Sequence, residues 1–135
     1  MQDKCDYRIS VKGIAFDNAR RVLLSKEDNG MWELLGGGLD HNEDPIECLK
    51  REILEETGLK ITYVSPVPKY FVTAPKTFQE GYLANIIYEI KLENLNFVPS
   101  GECQELRYFS VDDAKKVKLF PNVENLIKQL ELQQT

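Results

Sequence analysis

The chain has 135 residues, 42% of them hydrophobic and 29% charged, which is enough to bury one core as a single domain over residues 1–135 and too little for a second. Its 17 basic and 22 acidic side chains leave a formal charge of −5. That balance excludes a nucleic-acid polymer as the main partner, because neutralising a phosphate backbone needs clustered Lys and Arg.

Cys5, Cys48 and Cys103 are an odd number with no Cys-x-x-Cys pair, so neither a disulfide framework nor a zinc knuckle is expected. The start, Met1-Gln2-Asp3-Lys4-Cys5-Asp6, lacks a signal peptide's apolar core, and no apolar run reaches membrane-spanning length. A soluble cytoplasmic protein without a membrane partner is expected. Tyr7 to Phe16 reads as a strand, and Asp17-Asn18-Ala19-Arg20 as a polar turn into Val22-Leu23-Leu24, so a hairpin is predicted. Asp28-Asn29-Gly30 marks the next turn, before a short apolar stretch from Trp32 to Leu35. Lys60 to Val72 reads as extended but broken by Pro66 and Pro68, which favour an edge or a bulge. Tyr82 to Leu92 has the density of a buried strand, and Leu106 to Val111 reads as a shorter one. Val123, Leu126, Ile127 and Leu130 recur at helical spacing and predict a terminal helix over about 122–132. Strands before and after an internal helix imply an α/β fold, a mixed sheet covered by helices.

The internal helix has well-marked ends. Asp44 suits the N-cap, Pro45 the first helical position, Glu47 a capping box and Gly58 a left-handed stop. At about 100° per residue, Ile46, Leu49, Ile53 and Thr57 fall on the side toward the sheet. Glu52, Glu55 and Glu56 fill the neighbouring arc. Three carboxylates so placed repel one another unless a hard cation such as magnesium or manganese draws them together. A solvated acidic face would use the same residues.

Gly37, Glu43, Arg51, Glu52, Ile53, Glu55, Glu56, Gly58 and Leu59 match the Nudix hydrolase signature at every defined position over residues 37–59. Trp32-Glu33-Leu34 resembles the strand that enters this box, and Glu102-x-x-Glu105-x-x-Tyr108-Phe109 its later acidic and aromatic segment. The resemblance implies an α/β/α sandwich and divalent metal dependence, with Mg2+ and Mn2+ as substitute. It also implies cleavage of a nucleoside diphosphate linked to another group. Carried over to this chain, Glu52, Glu55 and Glu56 hold the metal and Arg51 orients them by charge-assisted hydrogen bonds. As a bare surface ion pair, Arg51 would contribute only about 0.3–0.5 kcal/mol. The main chain at Gly37 supplies a further ligand, and Gly36, Gly37 and Gly38 let backbone approach closely. Glu43 braces the loop. Glu102 is the expected ligand from outside the helix, with Glu105 and Glu80 as alternatives.

The chain departs from the family pattern at Leu35, in place of the usual proline, and at Asp40-His41-Asn42. His41 reads as a turn histidine or a phosphate contact. Cys48 replaces the usual alanine and reads as a packing residue or, alternatively, as a site whose oxidation inhibits. For substrate binding, Phe78, Tyr82 and Phe120 supply stacking surface, and Lys26 and Arg8 are placed to meet phosphate. Phe120-Pro121-Asn122 resembles the place from which MutT-like members read a purine; Asn122 also suits a helix cap. The expected substrate is a small-molecule nucleotide, and a MutT-like nucleoside triphosphate pyrophosphatase is the leading expectation. An ADP-ribose or nucleotide-sugar pyrophosphatase, to which Pro75 points, is the rival enzyme. A non-catalytic nucleotide-binding regulator is the rival class. A monomer or homodimer is expected.

Overall fold

The chain divides its strands between two sheets. In the computed structural model, which describes residues 4–134, the larger sheet is five-stranded. It is built from β1 (Tyr7–Ile14), β4 (Leu35–Gly38), β5 (Ile61–Val64), β6 (Tyr70–Pro75) and β7 (Tyr82–Leu92). The smaller, antiparallel sheet contains β2 (Val22–Lys26), β3 (Trp32–Glu33) and β8 (Glu105–Phe109). Helices α1 (Pro45–Thr57), α2 (Val111–Ala114) and α3 (Pro121–Gln133) complete the described elements. Residues 1–3, part of the polar start, lie outside the described residues.

Strand β1 runs antiparallel to β4 and parallel to β7, with Lys12 opposite Gly36 on one side and Ile87 on the other. Strands β5 and β6 both pair with the far edge of β7 at successive positions, so the break at Pro66 and Pro68 separates two edge strands. The outer carbonyls of β6 do not stay bare. Asn125 donates to Thr73 O at 2.8 Å and Gln129 to Phe71 O at 2.9 Å, and α3 thereby covers the edge.

The predicted hairpin forms only at its tip. Asp17 Oδ1 accepts from the backbone N–H groups of Ala19 and Arg21, Arg20 takes φ 61°, and Phe16 bridges Val22. Beyond that bridge β1 and β2 part into different sheets, because β1 finds its partners in β4 and β7. Val111 ends no strand. It opens the one-turn helix α2, which Ser110 caps by accepting from Asp113 N.

Two cores result. Leu24, Trp32, Phe109, Val123 and Leu126 pack beneath α3, whereas Val11, Leu35, Leu49, Ile53 and Ile90 pack beneath α1. Full burial of Leu49 and Ile53 contributes about 1.5–3 kcal/mol each. The layers are therefore mixed sheets flanked by helices. Among the described residues no helix is long and apolar enough to cross a membrane.

Candidate active site

Local chemistry fixes where α1 begins and how it is rotated. Asp44 Oδ2 accepts from Glu47 N at 3.0 Å, Pro45 occupies the first turn, and Gly58 ends the helix at φ 73° with its N–H on Leu54 O. Glu47 makes no return bond to the cap and lies 3.8 Å from Lys50. With Leu49, Ile53 and Thr57 buried, Glu52, Glu55 and Glu56 line a cleft of about 240 Å³ together with Ser100, Gly101 and Glu102.

Glu102 reaches this cleft on a strapped loop. Val98 N donates to Thr57 O at 2.8 Å and Ser100 Oγ to Glu56 O at 2.7 Å, tying the loop to the end of α1. Asp28 N donates to Gly101 O and Gln104 N to Lys26 O, tying it to the turn after β2. Glu105, by contrast, is engaged by Arg107, and Glu80 is exposed in the turn before β7.

Arg51 hydrogen-bonds three carboxylates and stands 3.9 Å from a fourth, Asp40. Its Nε and Nη2 donate to Glu43 at 2.9 and 3.1 Å, and its Nη1 donates to Glu52 at 3.1 Å and Glu55 at 3.2 Å. This fork holds the Glu43 carboxyl down at about 2 and pushes the guanidinium up. Glu43 also accepts from Asp40 N at 3.2 Å, so it braces the loop before the helix. Burial pushes Glu56 up to about 8 despite Lys12 and the Gly36 N–H, which oppose it; Glu102 and Glu52 push it further up.

The donor set is hard: carboxylates from Glu52, Glu55, Glu56 and Glu102 beside the Ser100 hydroxyl, with no histidine, cysteine or methionine side chain among the lining residues. Such oxygens suit magnesium or manganese. The backbone fits as well, since a Cβ at Gly37 would stand 2.5 Å from the Glu52 carboxyl. Gly36 carries φ +124° and a Cβ there would lie 2.2 Å from Val11 O. Among the described residues no three acidic, histidine or cysteine side chains already stand at metal-enclosing distances. The reason is visible: Glu52 and Glu55 rest on Arg51, and Glu56 accepts from Gly36 N at 3.0 Å. Gathering them around a cation requires Glu52 and Glu55 to turn away from Arg51.

A second cleft, of about 340 Å³, is lined by Arg8, Glu33, Phe78, Phe120 and Asn122 among others. Phe78 meets Phe120 edge to face, with centroids 6.3 Å apart. Arg8 packs on Gly38 and donates to Leu39 O at 2.6 Å. Asn122 is not a helix cap. Phe120 holds that position, and Asn122 is buried, donating through Nδ2 to Glu33 Oε1 at 2.8 Å and Asn85 Oδ1 at 2.7 Å. Both its amide hydrogens are thereby used, so Asn122 and Glu33 have only acceptor oxygens left for a ligand.

The other candidates stand elsewhere. Lys26 sits opposite Trp32 and Glu105 in the small sheet and lines neither cleft. Tyr82 packs on Tyr7, with ring centroids 6.0 Å apart. His41 is exposed on the turn before α1. Cys48 is fully buried, its Sγ 3.5 Å from Gly38 O, and burial pushes the thiol up to about 11, which suits packing.

Sequence reading missed four polar residues at this site. Lys12 is buried with its ammonium on two carbonyls, and Glu33 and Asn85 underlie Asn122. Burial, and then Glu33, push Glu27 up to about 7. A polar residue inside the apolar run Leu83–Ile87 was the available signal for Asn85. Lys12 gave none, because Ser10 and Lys12 alternate with Ile9 and Val11 as a solvated face would.

A glycine strand thus leads into clustered glutamates, set in mixed sheets between helices. The NUDIX domain family matches residues 6–130, and the chain belongs to the Nudix hydrolase family. A "MutT-like protein" of Streptomyces ambofaciens is 38% identical over 56 residues, 41% of this chain and 36% of that one. An "RNA pyrophosphohydrolase" of Bartonella henselae is 32% identical over 75 residues, 48% of this chain and 43% of that one. The chain thus matches less than half the length of these two relatives. A "Nucleoside triphosphatase NudI" of Klebsiella pneumoniae is 30% identical over 67% of this chain and 69% of its own. Among solved structures, the MutT protein of Methanosarcina mazei superimposes with TM-score 0.74 at 19% identity, covering 99% of both chains.

Proposed function

We propose that this chain is a nucleoside triphosphate pyrophosphohydrolase, in which water cleaves the triphosphate to a nucleoside monophosphate and pyrophosphate. The observation that carries the reading is the presence of two clefts in one domain, one lined by carboxylates and one by stacking rings over polar groups. The aromatic edge of Phe78 and Phe120 suits a base, and the acceptor oxygens of Asn122 and Glu33 suit N–H groups on its edge. Arg8, which lines the aromatic cleft and packs on Gly38, supplies a cation for a phosphate oxygen in this reading.

Glu52, Glu55, Glu56 and Glu102 would hold magnesium, with manganese as its substitute. A cation held by these residues would supply charge neutralisation for the pyrophosphate and a more acidic water. Arg51 holds Glu52 and Glu55 while the cleft is empty and hands them over to the cation, and Glu43 keeps the guanidinium beside them throughout. Glu56, fixed on Gly36 N, presents its carboxylate at a constant distance from the glycine strand.

The test is a panel of ordinary and oxidised nucleoside triphosphates, ADP-ribose, nucleotide sugars and dinucleoside polyphosphates with Mg2+ or Mn2+, with products identified by mass. Triphosphates are expected to give monophosphate and pyrophosphate, and Glu56→Gln to abolish turnover. Preferential cleavage of ADP-ribose or a nucleotide sugar would overturn the substrate assignment. Tight nucleotide binding without turnover of any compound would overturn the enzyme reading.

A further inference from the structure

Lys12 is a charged side chain in the middle of the larger sheet, only 8% exposed. Lysine is seldom buried so deeply unless its ammonium is satisfied. Here Nζ donates to Gly36 O at 3.1 Å and Leu34 O at 3.4 Å, and stands 4.0 Å from Glu33 Oε1. Those two carbonyls belong to the stretch where the chain leaves β3 in the small sheet and enters β4 in the large one. Two strand ends that belong to different sheets have no common ladder to hold their spacing, and Lys12 reaches both.

Its bonds continue on either side. Toward the carboxylate cleft, Gly36 accepts from Lys12 through its carbonyl and donates to Glu56 through its N–H at 3.0 Å. The Gly36 peptide is therefore held at both ends, and its neighbour Gly37 lies against Glu52. Toward the aromatic cleft, Glu33 Oε1 accepts from Asn122 at 2.8 Å. A continuous chain of polar contacts thus runs from Asn122 through Glu33, Lys12 and Gly36 to Glu56. A compact cation with three donors can serve two carbonyls and a carboxylate together, whereas a neutral side chain could not face Glu33 with the same charge.

We propose that Lys12 is a positioning residue that holds the glycine strand and the Glu33–Asn122 pair in register with the carboxylates of α1. It touches neither phosphate nor metal and acts through Gly36 and Glu33. The inference rests on the proposed function, in which the carboxylates bind metal and the aromatic cleft binds a base. Lys12 also places a positive charge near Glu27, Glu33 and Glu56, and this gives the test its sign. If that charge were its whole contribution, removing it would tighten cation binding by relieving repulsion wherever Glu56 is already ionised; at lower pH it would weaken binding instead, because Lys12 also opposes protonation of Glu56. If position is what matters, removing it frees the Gly36 peptide and weakens cation binding.

Lys12→Met keeps the length of the side chain and removes its donors. Two quantities are read: Mn2+ affinity of the nucleotide-free protein by anaerobic calorimetry, taken on the plateau where it no longer rises with pH and Glu56 is ionised in both proteins, and the ratio of kcat/KM for a nucleoside triphosphate over ribose 5-triphosphate, which lacks the base. Lys12→Met is expected to weaken Mn2+ binding about fivefold or more and to lower the base preference about tenfold. Glu33→Gln is expected to lower the base preference to a similar extent while leaving Mn2+ affinity within about twofold. Should Lys12→Met fail to fold by circular dichroism, Lys12→Gln carries the same two readouts and expectations. Unchanged or tightened Mn2+ binding in the Lys12 variant, or an unchanged base preference, overturns the proposal. A wild-type protein with neither Mn2+ affinity nor base preference overturns the proposed function, and this inference with it.

Discussion

Replacing Glu56 with glutamine separates the cost of a buried carboxylate from the rest of the fold. Glu56 is 6% exposed, and burial pushes its carboxyl from an ordinary 4.5 up to about 8. Between those values the folded protein keeps a proton that the unfolded chain has released, so it binds more protons than the unfolded state. Its contribution to stability is therefore fully present below pH 4.5 and is lost as pH rises through 8. At about 1.4 kcal/mol per pH unit, the metal-free protein loses roughly 4–5 kcal/mol over that window from this one group. Glu56→Gln stays neutral throughout and retains an oxygen for the Gly36 N–H. Urea unfolding in chelator, from pH 5 to 9, is expected to give similar stabilities for the two proteins at pH 5. The variant should lead by several kcal/mol at pH 8 and above. Glu27, also raised, titrates in both proteins and largely cancels. Saturating Mg2+ at pH 8 should restore the wild type and leave the variant nearly unchanged, since the cation takes the place of the proton. Parallel pH profiles for the two proteins would refute the reasoning.

Three further outcomes follow from particular contacts. Gly37→Ala places a methyl group 2.5 Å from the Glu52 carboxyl. Turnover should fall about 10²-fold through displacement of that ligand while the melting temperature barely moves, because Glu52 can swing; steady-state kinetics beside a thermal melt would show it. Asn122→Ala strips Asn85 Oδ1 of its donor and leaves Glu33 Oε1 with only the Leu34 N–H as a hydrogen-bond donor, and should cost about 1–3 kcal/mol in denaturant titration. It should also lower kcat/KM for a nucleoside triphosphate more than for ribose 5-triphosphate. Cys48→Ala should lose activity under peroxide at the same rate as wild type, because the thiol is buried and held protonated. Selective protection of the variant would show that Cys48 is oxidised after all.

The helix of glutamates was legible because everything that sets it is local. Asp44, Pro45 and Gly58 fix its ends within the segment itself, and the apolar positions Leu49 and Ile53 fix its rotation. The first hairpin was legible only as far as its turn. Asp17 determines how the chain reverses, but the partners of β1 are residues 35–38 and 82–89, and nothing near Asp17 specifies them. The same non-local pairing hid Lys12. Alternation of apolar and polar residues means one wet face when a strand borders solvent, and β1 has β4 on one side, β7 on the other and cores above and below. Burial then turns an apparently solvated lysine into a pin between two sheets.

The aromatic cleft was legible as a set of residue types and illegible as a place. Phe78 and Phe120 were foreseeable stacking surfaces, but Tyr82 had an equal claim as a third ring and Lys26 had one as a phosphate contact, and the fold carries both elsewhere. What sorts them is the bond from Asn122 to Glu33 across 89 positions of chain, which belongs to the packing of α3 against both sheets. That bond also changes what Asn122 can offer. An exposed asparagine would present donor and acceptor alike, whereas this one has spent its hydrogens on Glu33 and Asn85. The choice of ligand group at that position is therefore made by two residues behind it, and a mutation at Asn85 would alter what the cleft accepts without touching its surface.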